Sequence, residues 1–289
     1  MRDKLMVYSL KSFKLWRDSA VVSCGIIGIL SSIISIVGYS IDDIWGKVLG
    51  KNPNELRWFV TFLWIMILYV ICLFMVLSIK LIKIAKMGIS IKIRGINVNI
   101  KKGDDIFAAK GWKVIQLNEY FDTQVDDKII AKNTLHGRYI QQLGGNKIRK
   151  LKQIIDKEKQ TVLTYPNKDE RLPFPLGHII TYEDCMLLAF SRFNENNEAY
   201  LTGEDYIQCL MRMWREISRT YANKPINLTL LGSGITRFKD VSEKSNRDLL
   251  VLMLYTLKLN MAYINQPITI LLTKEVMEEI NIYSMKGVC

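Results

Sequence analysis

Histidine and cysteine are scarce in this chain, whose 289 residues include two His and five Cys. The two histidines, His136 and His178, lie far apart, no C-x-x-C pair occurs, and the number of cysteines is odd. A disulfide framework needs an even set of spaced cysteines, and a zinc site needs closely spaced Cys and His ligands. The sequence favours neither, and we expect no metal site and no resident cofactor.

Proline is rare as well, with six residues, and glycine contributes seventeen. Hydrophobic residues make up 49% of the chain, so it carries far more apolar material than a low-complexity disordered protein. The length suits one or two folded domains. Disorder is excluded as the main state of the chain.

Two long stretches contain no charged residue: residues 19–41 and residues 58–79. The hydrocarbon core of a bilayer is about 30 Å thick and is crossed by about 20 helical residues. Both stretches are long enough, and the first exceeds the apolar segment of a signal peptide. They predict a transmembrane helical hairpin over residues 19–79, with two buried helices of a globular fold as the alternative.

The excess of positive charge flanks these stretches. The chain has 40 Lys and Arg against 28 Asp and Glu, and residues 1–94 hold 13 of the basic and 5 of the acidic ones. Basic residues precede the first stretch and follow the second, which by the positive-inside rule predicts that both termini are cytoplasmic. The remaining chain lacks a basic stripe with interleaved aromatic residues, so the expected partner is the bilayer and not a nucleic acid.

The sequence therefore predicts a two-pass cell-membrane protein with a cytosolic domain. Its parts are a basic cytoplasmic N-terminus (1–18), the transmembrane hairpin (19–41 and 58–79), a basic juxtamembrane linker (80–94) and the cytosolic domain (95–289). Strand and helix patterns alternate in the last part, which predicts an α/β domain with a mixed sheet. The predicted strands are 96–101, 113–117, 161–164, 179–182, 186–190, 226–231, 268–272 and 280–283, and the predicted helices are 146–157, 202–221 and 245–260.

A Gly-Ser-Gly turn, Gly232 to Gly234, directly follows the apolar run 226–231. Two glycines let successive backbone N–H groups converge on an anion, and Ser233 and Thr236 add hydroxyl donors. Ligands of α/β sheets bind at the carboxyl ends of strands. The turn suits a phosphate cradle, and it equally suits a plain tight turn.

Polar residues also follow the first two predicted strands of the domain. Asp104 and Asp105 come after one strand, and Asn118 and Asp122 come after the next. A carboxylate there can accept a hydrogen bond from a purine amine, and an amide can reach a ribose hydroxyl. Asp and Asn are also ordinary turn residues, and that reading stays open.

In combination these motifs resemble the macro domains, which bind ADP-ribose. The resemblance extends to the macro-domain effectors of the bacterial Thoeris anti-phage system, in which a two-helix membrane segment precedes the macro domain. It implies a three-layer α/β macro domain and covers essentially the whole chain. The motifs that carry it are the runs 118–127 (N-E-Y-F-D-T-Q-V-D-D), 134–137 (T-L-H-G), 174–177 (F-P-L-G) and 231–235 (L-G-S-G-I).

The resemblance implies a membrane-anchored effector that is not an enzyme. A partner TIR-domain enzyme consumes NAD during infection and releases an ADP-ribose derivative, here expected to be histidine-linked ADP-ribose. The macro domain binds this signal, the protein assembles into homo-oligomers, and the membrane is disrupted. The infected cell then stops growing or dies, which is antiviral defence by abortive infection.

Carried over by position, the resemblance assigns fourteen residues to ligand binding. Those of the Gly-Asp-Ile element face adenine, with either Asp104 or Asp105 as the acid, and Asn118 lies near the distal ribose. Residues 136–138 match the first phosphate loop and residues 232–236 the second. The set is Asp104, Asp105, Ile106, Asn118, Asp122, His136, Gly137, Arg138, Gly232, Ser233, Gly234, Ile235, Thr236 and Phe238.

Alternatives remain for the function and for single residues. A membrane-tethered ADP-ribosyl hydrolase would need groups that activate water, for which Asp122 and His136 are the candidates. A third class of function is a structural anchor or partner scaffold with a degenerate pocket. Phe238 also suits an ordinary core, His136 a helix-flanking position, and Asp126 and Asp127 a helix N-terminus.

Overall fold

The structure, a computed structural model, describes residues 9–36, 54–162, 172–196, 198–240, 245–260 and 264–287. It divides the chain into two compact units, the first ending at Met87 and the second beginning at Gly88. The end of the first predicted membrane stretch (37–41) lies outside the described residues. The segment 80–94, predicted as a linker, contributes residues to both units.

Two long helices build the first unit, α1 (Phe13–Ile36) and α2 (Asn54–Met87). Both are long and apolar enough to span a membrane. On α1 the buried residues are Leu15, Ser19 and Ser23, and each of the two serine hydroxyls donates to the backbone carbonyl four residues earlier. Elsewhere large apolar side chains are exposed, such as Phe74 on α2. This exposure is the pattern expected of helices that contact lipid.

The second unit is an α/β domain. Its described strands and helical segments, in chain order, are β1 (Ile89–Ile93), β2 (Ile96–Lys102), β3 (Trp112–Asn118), α3 (Leu135–Val162), β4 (Ile179–Tyr182), β5 (Cys185–Phe193), β6 (Ala199–Leu201), α4 (Gly203–Thr220), β7 (Ile226–Thr229), β8 (Arg237–Phe238), α5 (Asn246–Leu259), β9 (Ile268–Leu272), α6 (Lys274–Glu279) and a 3-10 helix (Ile282–Gly287).

The strands form a mixed sheet in the order β1-β2-β9-β7-β3-β5-β6-β8, with β4 also paired to β5. The strands from β2 to β5 in this order run parallel to one another, whereas β1, β4 and β6 pair antiparallel with β2 or β5. Pairing between β3 and β7 ends at Val114 and Leu228, although both strands continue beyond these residues. The carboxyl ends of these two central strands therefore separate.

Helices cover the sheet and close its core. Ile115 and Leu117 of β3 share a buried cluster with Tyr139 and Ile140 of α3. Val114, which alternates with them and points to the opposite face, is equally buried. On that side α4 and α5 supply the cover, and the buried indole of Trp214 on α4 donates to Thr256 on α5.

Most of the predicted elements are confirmed, including the capping box in which Thr202 and Asp205 exchange hydrogen bonds at the start of α4. The predicted helix 146–157 is part of the longer α3, which bends at Gly144. The strand predicted at 161–164 is wrong at its first two residues, which end α3, and its other two lie outside the described residues. The strand predicted at 280–283 is also wrong, because a 3-10 helix starts at Ile282.

Candidate functional site

A cavity of about 370 Å³ lies where β3 and β7 separate, at the carboxyl ends of the parallel strands. Its lining comes from the ends of β2, β3, β5, β7 and β9, from the loop before α3 with the first turn of that helix, and from the loop after β7. Crevices at strand ends are the usual ligand sites of α/β sheets. We call residues 118–138 the Asn118 wall and residues 230–238 the Gly232 wall.

Side-chain hydrogen bonds organise the Asn118 wall. The side-chain amide of Asn118, a residue only 1% exposed, donates to the Asp122 carboxylate at 2.6 Å, and its oxygen accepts from the Asp122 backbone N–H at 3.1 Å. The backbone carbonyl of Asp122 lies 2.8 Å from Nε2 of His136. Asn118 and the start of α3 are thus joined through one residue of the intervening loop.

His136 is held neutral by its surroundings. Burial lowers the pKa of its imidazole to about 4, and the backbone hydrogen bond to Asp122 opposes this shift only in part. A carbonyl oxygen only accepts hydrogen bonds, so Nε2 carries the proton and donates it to Asp122. The imidazole is therefore a neutral ring protonated on Nε2 at physiological pH.

The loop before α3 is a series of turns. Asp126 accepts from the backbone N–H groups of Lys128 and Ile129, and these bonds lower the pKa of its carboxyl. The prediction of a helix N-terminus at Asp126 and Asp127 is therefore wrong, since α3 begins at Leu135. Thr134 precedes this helix and accepts on its hydroxyl from the N–H of Gly137 at 3.0 Å.

Gly137 has no room for a side chain. A Cβ at this position would lie 2.3 Å from the backbone oxygen of Ala131 and 3.0 Å from the Cα of Lys132. The first turn of α3 consequently packs directly on the backbone of the loop that lines the cavity. Gly137 is therefore a packing residue of the Asn118 wall.

The two aspartates after β2 have different surroundings. Asp104 lines the cavity. Asp105 accepts from the N–H of Phe107 at 3.2 Å and pairs with the Arg138 guanidinium at 3.3 Å, and this guanidinium also lies over the Phe107 ring. Asp104 is therefore the carboxylate that lines the cavity, and Asp105 positions Arg138, which also lines it.

Packing and tight turns hold the Gly232 wall. Gly232 has φ 81°, in the left-handed region, and a Cβ there would contact the rings of Phe190 and Phe238 at 3.5 Å. The Ser233 hydroxyl donates to the carbonyl of Leu230 at 2.7 Å. Phe238 packs edge-on against Tyr206, with ring centroids 5.5 Å apart, so its ring supports the wall from behind.

The structure brings most of the predicted ligand residues to one cavity. Those that line it are Asp104, Ile106, Asn118, His136, Arg138, Ser233, Gly234, Ile235 and Thr236. The other five support these from behind, through the contacts described above: Asp105, Asp122, Gly137, Gly232 and Phe238.

Other lining residues were not predicted. Gln116 of β3 and Thr229 of β7 line the cavity, and the side-chain oxygen of each is buried without a hydrogen-bond partner among the described residues. The loop residues 129–135 line it as well. The signal available for Gln116 was a polar residue between the buried apolar residues Ile115 and Leu117. No group of three His, Cys, Asp or Glu that could hold a metal occurs in the described part of the chain.

Comparisons with known proteins agree with this architecture. A family model described as Thoeris protein ThsA, Macro domain, matches residues 98–273. The Thoeris protein ThsA of Bacillus amyloliquefaciens (strain Y2) is 39% identical over 211 residues, which cover 69% of this chain and 70% of the relative.

Solved macrodomains of Oceanobacillus iheyensis are similar at lower identity. A glycine-to-valine mutant with ADPR has a TM-score of 0.46 and 12% identity, covering 69% of this chain and 96% of its own. The macrodomain with ADP has a TM-score of 0.42 and 12% identity, covering 69% and 94%.

Proposed function

Because this chain belongs to the Thoeris ThsA macro-domain family, we propose that it is a membrane-anchored anti-phage effector whose second unit binds an ADP-ribose-derived signal. The observation that supports this most is the cavity, which gathers Asp104, Asn118, Arg138 and the Gly232 wall at the strand ends. The signal is histidine-linked ADP-ribose, made by a TIR-domain enzyme that consumes NAD. Binding of this signal then leads to the assembly of homo-oligomers and to disruption of the membrane.

The cavity chemistry suits a dinucleotide-like anion. The first turn of α3 lines one side, and helix N-termini attract phosphate groups. The opposite side is the Gly232 wall, where Ser233, Gly234 and Thr236 line the cavity. Asp104 supplies an acceptor for an adenine amine, and the guanidinium of Arg138 supplies positive charge.

The contacts favour binding over hydrolysis. Asp122 and His136 are the residues that could activate water in a hydrolase. The Asp122 carboxylate accepts from Asn118, and the His136 ring donates to the Asp122 carbonyl. An imidazole whose pKa is lowered to about 4 is a weak base at physiological pH. We therefore propose a receptor without catalytic turnover.

Calorimetric titration of the full-length protein in detergent tests this proposal. The ligands are histidine–ADP-ribose, ADP-ribose, a cyclic ADP-ribose isomer and NAD. Histidine–ADP-ribose should bind most tightly and remain intact by mass spectrometry. Asp104→Asn should weaken binding roughly tenfold or more, because it removes a charged acceptor. Asp105→Asn is the matched control and should have a smaller effect. Absence of binding by all four ligands would contradict the proposal.

Assembly in the membrane requires that the ligand bind the assembled state more tightly than the resting state. Helix α1 offers an exposed site for such contact at Gly28, where an added Cβ meets nothing within 4 Å in the described residues. Close approach of membrane helices depends on small residues of this kind.

Gly28→Leu should therefore leave ligand binding intact and abolish growth arrest when the TIR partner is active. Gly28→Ala, which keeps the position small, is the control and should retain growth arrest. Cell growth after induction of both proteins is the measurement. If the leucine variant arrests growth as strongly as the unchanged protein, the Gly28 face of α1 is not the contact through which the protein assembles.

A further inference from the structure

The two ring nitrogens of His136 differ in their hydrogen bonding to the protein. Nε2 donates to the Asp122 carbonyl at 2.8 Å, and His136 lines the cavity. Nδ1 has no hydrogen-bond partner among the residues that the structure describes. The side chain is 8% exposed, so the protein fixes its position.

The tautomer determines what the ring can bind. With the proton on Nε2, Nδ1 presents a lone pair and acts only as an acceptor. A phosphate oxygen is also an acceptor, so it gains no hydrogen bond from this nitrogen. A hydroxyl or an N–H group of a ligand, by contrast, can donate a hydrogen bond to Nδ1. This chemistry differs from that of a cationic histidine in a phosphate loop.

The neighbours of His136 indicate which part of a ligand it meets. Its partner Asp122 is bonded to Asn118, so the ring and Asn118 belong to the same wall. This inference rests on the proposed function and takes from the resemblance to macro domains the placement of the distal ribose of the ligand near Asn118. That ribose and any group attached to it carry hydroxyl or N–H donors, whereas the diphosphate carries none.

We propose that His136 determines specificity for the ribose end of the ligand, where Nδ1 accepts a hydrogen bond from a hydroxyl or N–H group. This role differs from contact with a phosphate, which the match of residues 136–138 to the first phosphate loop implies. The competing role is purely structural, in which His136 only holds the Asp122 carbonyl and the loop.

Two substitutions separate these roles. The amide of glutamine reaches the position of Nε2, so His136→Gln keeps a donor for the Asp122 carbonyl and removes the acceptor at Nδ1. The amide of asparagine reaches the position of Nδ1, so His136→Asn keeps an acceptor there and removes the bond to Asp122. The full-length proteins in detergent are titrated with ADP, ADP-ribose and histidine–ADP-ribose, and thermal melts report their folding.

In His136→Gln we expect the affinity for the two ribose-bearing ligands to fall roughly three- to tenfold, the effect of one hydrogen bond. Its affinity for ADP, which lacks the distal ribose, should not change. His136→Asn should keep most of the affinity for the ribose-bearing ligands and melt at a lower temperature than His136→Gln.

Unchanged binding of all ligands by His136→Gln would overturn the inference and leave the structural role. Equal weakening of ADP and ADP-ribose would overturn it in favour of phosphate contact. Failure of the unchanged protein to bind any of the three ligands is a separate outcome, because it would overturn the proposed function together with this inference.

Discussion

The two walls of the cavity are built by different forces. The Asn118 wall depends on hydrogen bonds among Asn118, Asp122 and His136. The Gly232 wall depends on backbone turns and on the packing of Phe238 against Tyr206. The Asn118 wall also contains a tight backbone contact at Gly137, so it is sensitive both to protonation and to added volume. One wall can therefore present polar groups in a fixed orientation, and the other can offer a rigid backbone surface to an anion.

Lowering the pH should give the largest effect and should act through the Asn118 wall. The pKa of His136 is about 4 in the folded protein, against an ordinary value of 6.5. The folded protein therefore favours the neutral imidazole. The resulting stabilisation is fully present above pH 6.5, the ordinary pKa, and is lost as the pH falls through about 4, the pKa in the folded protein. Between about pH 8 and about pH 5 the free energy of unfolding should fall by about 2 kcal/mol.

Urea unfolding of residues 88–289, the second compact unit, measures the free energy of unfolding at both pH values. His136→Gln lacks the titrating group and should lose most of the difference. His178, whose pKa is also lowered by burial, contributes the remainder. The carboxyls with lowered pKa, such as Asp184 and Asp205, lose their contributions closer to about pH 4 and below. A variant with an unchanged pH dependence would contradict the assignment.

Added volume should affect the Asn118 wall more than the Gly232 wall, by an amount similar in size to the effect of pH. Gly137→Ala places a Cβ 2.3 Å from the backbone oxygen of Ala131, and we expect it to cost about 1–3 kcal/mol of stability. Gly234→Ala is the matched change in the Gly232 wall, where a Cβ meets nothing within 4 Å. Thermal unfolding of residues 88–289 compares the two. Equal losses in both variants would show that the close approach at Gly137 relaxes without cost.

Removing one hydroxyl from the Gly232 wall should give the smallest effect. Ser233 donates to the Leu230 carbonyl at 2.7 Å, a bond within the turn. Ser233→Ala should reduce stability by about 0.5–1 kcal/mol. Because the turn itself is set by Gly232, the melting temperature should fall slightly and the ligand affinity should stay near that of the unchanged protein. A large loss of affinity would instead indicate that the hydroxyl turns to the ligand.

Sequence patterns were sufficient for the six strands β2, β3, β4, β5, β7 and β9 and for the Gly-Ser-Gly turn, whereas β1, β6 and β8 were not predicted. Apolar runs such as those of β7 and β9 are short, buried and bounded by turn residues, so their positions could be predicted. The predicted end of β9 is confirmed, and the predicted end of β7 lies two residues beyond Thr229. Asp104 and residues 233–236 follow such ends directly, and the structure places them in the cavity lining.

The supporting contacts were less accessible from sequence. Asp122 and His136 are fourteen residues apart, and their bond depends on the path of a loop that has no periodic pattern. The predicted helix 146–157 matches the part of α3 after Gly144, where the backbone is not helical (φ 69°), and the part before Gly144 was not predicted. Phe238 follows the ligand motif closely, yet its ring packs against Tyr206, since a two-residue strand at β8 sets its direction.

The Gly232 wall is fastened at both ends to one sheet. It leaves β7 between β3 and β9, and it rejoins the sheet at β8, which pairs with β6 and is tied there by Arg237 to Glu198. A loop anchored in this way does not swing open like a flap. Under the proposed function, ligand entry and release would then depend on the loop of residues 126–134 on the other side of the cavity. The lifetime of the bound signal, and with it the duration of the response, would be set by the turns of that loop.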